Sequence, residues 1–532
     1  MTALKALLWP RRGERLIPAV SAVLLALSFP PLHLLVPPFI GLAPFALWVH
    51  GMPPDAEGRR AAVRGSMLFG AIYFGIVFYW ILVALIWFTS LAILAFLAAL
   101  VGLIAIAALF GWILHRAVHV VRAPLWLALP VAWTAAEWAR AHLPSTIAFP
   151  WLGLGTSLTA YPELVGIAEL VGARGVTFWL ALVNGLVAVL VLRLRARRSW
   201  ALPGAVIAVV VVAPMAWGVW RAQTLEIRDA ATVAVMQPNI PEHIKLDTRA
   251  GLDSTFASLT RLVPRIAPRA VDLVVMPEVV LRIFPKAEIH ETWLDPLYAW
   301  SRYARAPILF GALGYRGDLG GVFTPYNSAF MIDSGGLADY EYDKRFLVPF
   351  VERVPLLPPE WFGSLQYFGG FGVGEGWPLA RVNGTAYGVL ICYESSYPEA
   401  SRRFRLEGAD VLLNITNDAW YGREPLYART TALWQHPAHM VMRAIENRMG
   451  VARSANTGIS LFVDPVGRVY GPTELFTPAV RSEVVRTTDV VTFYTRFGDL
   501  AGNGSAMAAV VLVLASVGLS RGAGLRSGSR SR

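Results

Sequence analysis

The sequence predicts a polytopic α-helical membrane domain joined to an α/β extracytoplasmic domain. Three observations predict it. Only 16% of the 532 residues are charged, 55% are hydrophobic and the mean hydropathy is +0.51, whereas a soluble globular chain carries roughly 25% charge. Basic residues outside the middle of the chain fall on alternate sides of successive apolar stretches, the pattern that the positive-inside rule produces. Between residues 228 and 494 the apolar runs turn short and β-branched, and helix-length segments separate several of them.

The apolar stretches come first. They lie near 16–30, 34–50, 67–88, 91–114, 125–143, 162–192 and 202–220, so residues 1–220 are expected to form a membrane domain of about seven transmembrane helices. The first two are short and hold Pro30, Pro31, Pro37 and Pro38, which suits tilted or partly re-entrant segments. The stretch 162–192 is too long for one straight crossing and is expected to begin outside the bilayer. Arg11, Arg12 and Arg15 precede the first stretch, but no small-residue cleavage site follows it, so it is read as a retained span. An eighth span is expected at 505–520, followed by a basic, low-complexity cytoplasmic tail, 521–532, expected to be disordered.

Arginine placement gives orientation. Arg59, Arg60 and Arg64, then Arg116 and Arg122, then Arg193, Arg195, Arg197 and Arg198, share one side with the N-terminal cluster and the tail. Only Arg140 and Arg174 fall on the other side. Both termini are therefore expected in the cytoplasm and the large polar block outside. The formal net charge of +11 does not mark a nucleic-acid-binding face. Residues 221–500 hold 28 Lys+Arg against 30 Asp+Glu, so the positive excess belongs to the lipid-rich part.

Residues 228–494 read as one independent domain. The runs "TVAVMQP", "DLVVMPE", "PILFGAL", "NSAFMID", "AYGVLIC" and "DVLLNIT" suit buried strands, and 249–268, 291–305, 396–407 and 430–448 suit helices. In open α/β sheets chemistry gathers beyond the carboxyl ends of strands. Glu278 follows "DLVVMP", Lys344 follows "LADYEYD", and Cys392, the single cysteine, closes "AYGVLIC". One cysteine excludes an intramolecular disulfide. Each of the three side chains has a role in acyl transfer. A thiolate attacks a carbonyl carbon, a carboxylate moves the protons, and an ammonium lowers the thiol pKa and holds the oxyanion. From spacing alone the trio is a weak signal, because polar residues at strand ends are common and most lone cysteines are core filler.

The blocks "MPEVVL", "DKRFLVPFVERVP" and "ICYESSYPE" resemble the signatures of the nitrilase, or carbon–nitrogen hydrolase, superfamily. The further blocks "VMQPNIP", "NITNDAWYG" and "MRAIENRMGVARSANTGIS", with the multispan flanks, resemble the apolipoprotein N-acyltransferases over nearly the whole chain. The resemblance implies a nitrilase-like α-β-β-α sandwich and a catalytic triad of Glu278, Lys344 and Cys392. It implies that Glu352 supports the lysine by charge pairing, that the backbone N–H of Tyr393 is a second oxyanion donor, and that Glu394 orients the site. Trp420 matches a loop tryptophan near the entrance. Leu246 stands where the family often has a functional tryptophan, so that role is in doubt here.

The implied reaction needs no cofactor and no metal. Cys392 would take an acyl chain from a membrane phospholipid as a thioester and pass it to the N-terminal amine of a diacylated apolipoprotein, in a ping-pong scheme. The expected setting is a bacterial inner membrane, with a monomer whose catalytic domain faces the periplasm. The segment 355–378 carries Trp361, Phe362, Tyr367, Phe368, Phe371 and Trp377 among many glycines, and is expected to dip into lipid and guide acyl chains. His436 and His439 show no third ligand for zinc. Glu137, Glu163 and Glu169 lie in or near spans and are assigned no chemistry. The rival reading is a membrane-tethered amidase that uses water as acceptor. A transporter would show paired broken helices and repeat symmetry, and neither is visible.

Overall fold

The structure is a computed structural model that describes residues 10–87, 92–144, 147–266, 270–319, 321–349, 351–352 and 370–528, with side chains through residue 520. The chain begins with helices α1 (Leu16–Ala26), α2 (Ala43–His50), α3 (Ala56–Phe78), α4 (Trp80–Leu85), α5 (Ala92–Arg116), α6 (Leu125–His142), α7 (Ala168–Arg195) and α8 (Ala201–Thr224). Among the described residues five helices are long and apolar enough to cross a membrane. They are α3, α5 with its continuation to Val121, α7, α8 and the C-terminal helix. The proline-rich stretches 16–30 and 34–50 form shorter helices, with a single turn Pro37–Ile40 between α1 and α2.

Local chemistry explains the boundaries. α3 starts well before the apolar stretch expected at 67–88, because the Asp55 carboxylate caps it by accepting from the Gly58 N–H at 2.8 Å. Its first turns bury Arg64, which donates to Glu14 at 2.6 Å and to Glu57 at 2.9 Å. Arg59, Arg60 and Arg64 thus lie on the helix itself, ahead of the start near 67 that the apolar pattern predicts. Gly70 lets α5 approach α3, since a Cβ there would stand 2.6 Å from the Ala107 methyl. In α7 the helix breaks at Gly172, whose φ of 67° lies in the left-handed region. The break leaves the Ala173 N–H without a helical acceptor, and the Glu446 carboxylate takes it at 2.6 Å.

The second half holds β1 (Arg228–Gln237), α9 (Thr248–Leu262), β2 (Leu273–Val275), α10 (Asp295–Ala304), β3 (Ile308–Gly317), β4 (Phe323–Asp333), β5 (Gly336–Asp343), β6 (Ala380–Val382), β7 (Thr385–Ile391), α11 (Pro398–Leu406), β8 (Val411–Thr416), α12 (Ala432–Asn447), β9 (Gly450–Ala455), β10 (Leu461–Val463), β11 (Val469–Tyr470) and β12 (Ala479–Thr487). The C-terminal helix α13 (Leu500–Gly528) follows. Its backbone stays helical to Gly528, well into the tail expected to be disordered, and no proline interrupts it.

Among the described residues the strands form two six-stranded sheets, ordered β12-β1-β2-β3-β4-β5 and β11-β10-β9-β8-β7-β6. Each has a parallel centre, β1-β2-β3 and β7-β8-β9. Strand alternation sorts the core. Val233 and Val235 of β1 pack with β7–β9, whereas Ala234 and Met236 pack with α9 and α10. The result is an α-β-β-α sandwich, as expected.

The membrane helices and the sandwich share one continuous core. α12 is the main seam. Trp80 of α4 and Trp151 both donate to the Gln435 side-chain oxygen, at 3.0 and 3.1 Å. Arg448, just past α12, donates to Glu169 of α7 at 2.8 Å.

Candidate active site

Three strand ends converge. Glu278 lies three residues beyond β2, Lys344 directly follows β5, and Cys392 directly follows β7. All three are buried, and Lys344 is completely so. The Lys344 ammonium donates to Glu278 Oε1 at 3.2 Å and to Glu352 Oε1 at 2.8 Å. The structure thus brings Glu278, Lys344, Glu352 and Cys392 into one cluster.

Two asparagines complete it. Asn327 of β4 donates from Nδ2 to Glu278 Oε1 and to Glu352 Oε1, at 2.8 Å each, so one amide spans both carboxylates around the lysine. The Asn417 N–H, directly beyond β8, donates to Glu278 Oε2 at 2.9 Å. Asn417 stands in "NITNDAWYG", where a sequence signal existed. Asn327 had none, because its role comes from register across the β4–β5 hairpin.

Cys392 has φ 52°, uncommon for a side chain of this kind. The turn after it, Cys392–Ser396, is fixed by Glu394. That carboxylate accepts from the Ile391 N–H at 2.8 Å, the Arg345 N–H at 2.7 Å, the Phe346 N–H and the Tyr342 hydroxyl. Glu394 therefore ties the cysteine turn to the loop after Lys344. Burial raises its pKa to about 6, against those donors and Lys344. From behind, His436 Nε2–H donates to the Cys392 carbonyl at 3.0 Å, with Asp418 2.8 Å from the other ring nitrogen. Among the described residues no group of three or more His, Cys, Asp or Glu is arranged to hold a metal.

Burial first, and then the Glu278 charge, push the Cys392 thiol up; Lys344 pulls its pKa down, as an ammonium there is expected to, but burial outweighs it. The resting group is a neutral thiol, not a thiolate. Burial would also raise Glu278, but Lys344, Asn327, Lys245 and Asn417 hold its carboxyl below the usual range. Burial would lower Lys344, yet Glu352 and then Glu278 hold it above its ordinary value.

The cluster opens on a cavity of about 750 Å³. Its walls include Glu278, Lys344 and Cys392, together with Trp80, Ala84 and Leu103 of α4 and α5. Ala98 and Gly102, exposed on α5, border it as well. Tyr393 lines the wall, its ring stacked on Trp151 at 6.0 Å and its hydroxyl donating to the Ala148 carbonyl. Trp420 is half-buried on the same wall. Sequence reading missed Trp80, which looks like an ordinary span aromatic, Trp151, which stands in the connection between two spans, and Lys245, a buried ammonium on the cavity wall.

Trp361 and Phe362, with Tyr367 and Phe368, lie outside the described residues. Trp377 departs from the expected lipid-dipping role. It packs edge-on against Phe404, with the Arg345 guanidinium 4.6 Å over its ring, so the apolar surface of α11 holds it within the sandwich. Phe371 borders the cavity. Glu137 accepts from the Leu154 N–H and Thr177, Glu163 pairs with Arg468, and Glu169 binds Arg221 and Arg448.

Comparison with known proteins covers both halves. The family model "Apolipoprotein N-acyltransferase N-terminal domain" matches residues 21–186, and "Carbon-nitrogen hydrolase" matches residues 232–486. The chain is 31% identical over 519 residues to an apolipoprotein N-acyltransferase of Geobacter metallireducens, covering 95% of this chain and 96% of that one. It is 30% identical to the protein of that name from Nitrosomonas europaea, covering 91% and 94%. Among solved structures, a double mutant of the amidase from Nesterenkonia sp. AN1 in complex with acrylamide aligns with TM-score 0.37 and 19% identity, over 52% of this chain and 97% of that one.

Proposed function

The chain belongs to the apolipoprotein N-acyltransferase family, and from that premise we propose how its own residues carry the reaction. It is a bacterial membrane protein and an acyltransferase of the carbon–nitrogen hydrolase superfamily. In the proposed reaction Cys392 Sγ attacks an ester carbonyl of a membrane phospholipid. The thiol proton passes to Glu278 as the S–C bond forms, because the resting thiol is neutral. Protonating Glu278 weakens its hold on Lys344, which Glu352 keeps in place. The ammonium then turns to the oxyanion, with the Tyr393 N–H as second donor. Collapse expels a lysophospholipid, whose oxygen takes the proton from Glu278, and leaves an acyl thioester. The amine of a diacylglyceryl-cysteine attacks that thioester, gives its proton to Glu278, and leaves as an amide while the thiol is restored.

The single observation that carries this reading is the cavity lined both by Cys392 and by the apolar helices α4 and α5. An amidase acting on a small polar molecule has no use for apolar walls of that extent. Trp420 is proposed to line the entrance, with Trp361 and Phe362. The proposed arrangement is a monomer in the inner membrane, with residues 228–494 on the periplasmic face, spans within 1–220 and 505–520, and both termini, including 521–532, in the cytoplasm. Arginine placement supports it.

Intact-mass spectrometry tests the reading. Incubation with phospholipid is expected to add one acyl chain at Cys392, and a diacylated lipopeptide is expected to remove it as amide. An adduct that only water discharges would favour the amidase, and no adduct would overturn the scheme.

A further inference from the structure

The sequence marks His436 and His439 as a pair, and the mechanism gives neither a task. His436 nevertheless stands directly behind the nucleophile. Three neighbouring parallel strands, β7, β8 and β9, deliver the groups around it. Cys392 follows β7, Asp418 lies two residues beyond β8, and Arg453 belongs to β9. His436, Asp418 and Arg453 are completely buried. Asp418 Oδ1 and Arg453 Nη2 lie 2.8 and 3.3 Å from His436 Nδ1, and Arg453 Nη2 also donates to Asp418 Oδ2 at 2.6 Å. Trp151 packs on the ring at 5.1 Å, and Tyr421 meets it edge-on at 5.8 Å. The ring is thereby held in one orientation, with Nε2 3.0 Å from the Cys392 carbonyl oxygen. A carbonyl only accepts, so Nε2 carries a hydrogen whatever the charge of the ring.

That carbonyl shares its peptide with the Tyr393 N–H. A trans peptide is planar, and its C=O and N–H point in opposite directions. Fixing the carbonyl toward His436 therefore aims the N–H away from α12, toward the cavity that Cys392 and Tyr393 line. The N–H stands too early in the turn Cys392–Ser396 to find an acceptor within it. Cys392 itself holds φ 52°, a left-handed value that persists in a residue with a Cβ only where its surroundings enforce it. Were the peptide to flip, its N–H would face the His436 N–H and its carbonyl would turn to the cavity, where it would repel an oxyanion. The same hydrogen bond polarises the amide and makes its N–H a stronger donor.

We propose that His436 is a positioning residue that sets the Tyr393 N–H for the oxyanion, with Asp418 and Arg453 holding its ring. The inference rests on the proposed acyl transfer, in which that N–H is the second donor. Both half-reactions pass through an oxyanion at the same place, so both depend on His436 alike.

The test uses the full-length protein in detergent, a phosphatidylglycerol with isotope-labelled ester carbonyls, and a diacylated lipopeptide. Two rates are read, Cys392 acylation by intact mass and acyl transfer from the preformed adduct. The isotope-difference infrared spectrum of the adduct gives the thioester carbonyl band, which moves to higher wavenumber as its hydrogen bonds weaken. In His436→Phe, which keeps a ring but no donor, the band is expected to rise and both rates to fall about tenfold. Outright loss of an oxyanion donor costs more, roughly a hundredfold to a thousandfold. Asparagine places its amide where Nδ1 stands, and glutamine where Nε2 stands. His436→Gln is therefore expected to recover most of both rates and the band position, and His436→Asn is not. This pair carries the comparison if His436→Phe fails to fold. A band that keeps its wild-type position in folded His436→Asn, whatever the rates, would mean that His436 only braces the turn, and the proposal is wrong. His436→Gln no better than His436→Asn would overturn it as well. If wild type forms no adduct, the acyl-transfer reading fails, and this inference with it.

Discussion

Glu352→Gln tests how the lysine is held. In the native cluster Glu352 Oε1 accepts from Lys344 and from Asn327, at 2.8 Å each, and Oε2 accepts from the Val348 N–H at 2.8 Å. All three partners are donors. Glutamine has one acceptor and one donor end, so either orientation points an N–H₂ at another donor. The substitution also removes a charge beside a fully buried ammonium. At an effective dielectric near 20, one pair at about 4 Å is worth about 4 kcal/mol. Glu278 retains Lys344, so only part of this reaches the transition state. A loss of about 3 kcal/mol corresponds to roughly a hundredfold slower acylation. The assay is single-turnover acylation of Cys392 by intact mass, with a thermal melt alongside to confirm folding. Glu352→Asp keeps the charge and is expected to recover part of the rate. A folded Glu352→Gln protein that acylates within threefold of wild type would refute the holding role.

Other outcomes follow from the same geometry. Glu394, with its pKa raised to about 6, must be ionised to accept its four donors; acylation is expected to rise with pH through about 6, and Glu394→Gln to lose that limb of the pH–rate profile. The stability sign is opposite: a carboxyl whose folded pKa is raised favours folding below the unfolded value, and that contribution is lost as pH climbs through about 6, readable as a fall in the melting temperature. Because the only thiol is neutral at rest, iodoacetamide at pH 7.5 is expected to label Cys392 at least about tenfold slower than free cysteine; equal rates would contradict the raised pKa. A Cβ at Gly102 meets nothing within 4 Å, so Gly102→Trp is expected to fold and to fill the α5 wall, slowing acylation from long-chain phospholipid about tenfold more than from a short-chain ester.

The sequence made the triad legible because each member stands just beyond the end of a strand, and strands buried on both faces read as short apolar runs. Glu278 and Cys392 sit after such runs. Lys344 was harder, since β5 is half-exposed and its run "GLADYEYD" alternates weakly. Asn327 was invisible because only pairing of β4 with β5 sets it opposite the lysine. Lys245 ends the one-turn helix Glu242–Lys245, on which nothing marks its inward aim. The start of α3 was misread because Arg59, Arg60 and Arg64 suggest a loop, whereas Arg64 is neutralised inside by Glu14 and Glu57. Trp377 was misread because interfacial aromatics and core aromatics share a composition, and only the packing against Phe404 and Arg345 tells them apart.

The seam along α12 bears on how the molecule comes to exist at all. Trp80 and Trp151 are synthesised long before Gln435, the residue both of them bond, and the Ala173 N–H likewise precedes Glu446. The early helices are thus made with ring and backbone donors still waiting for partners that come much later in the chain. Maturation is expected to finish late and all together, and a chain cut before α12 should be recognised by quality-control proteases instead of persisting as a stable half.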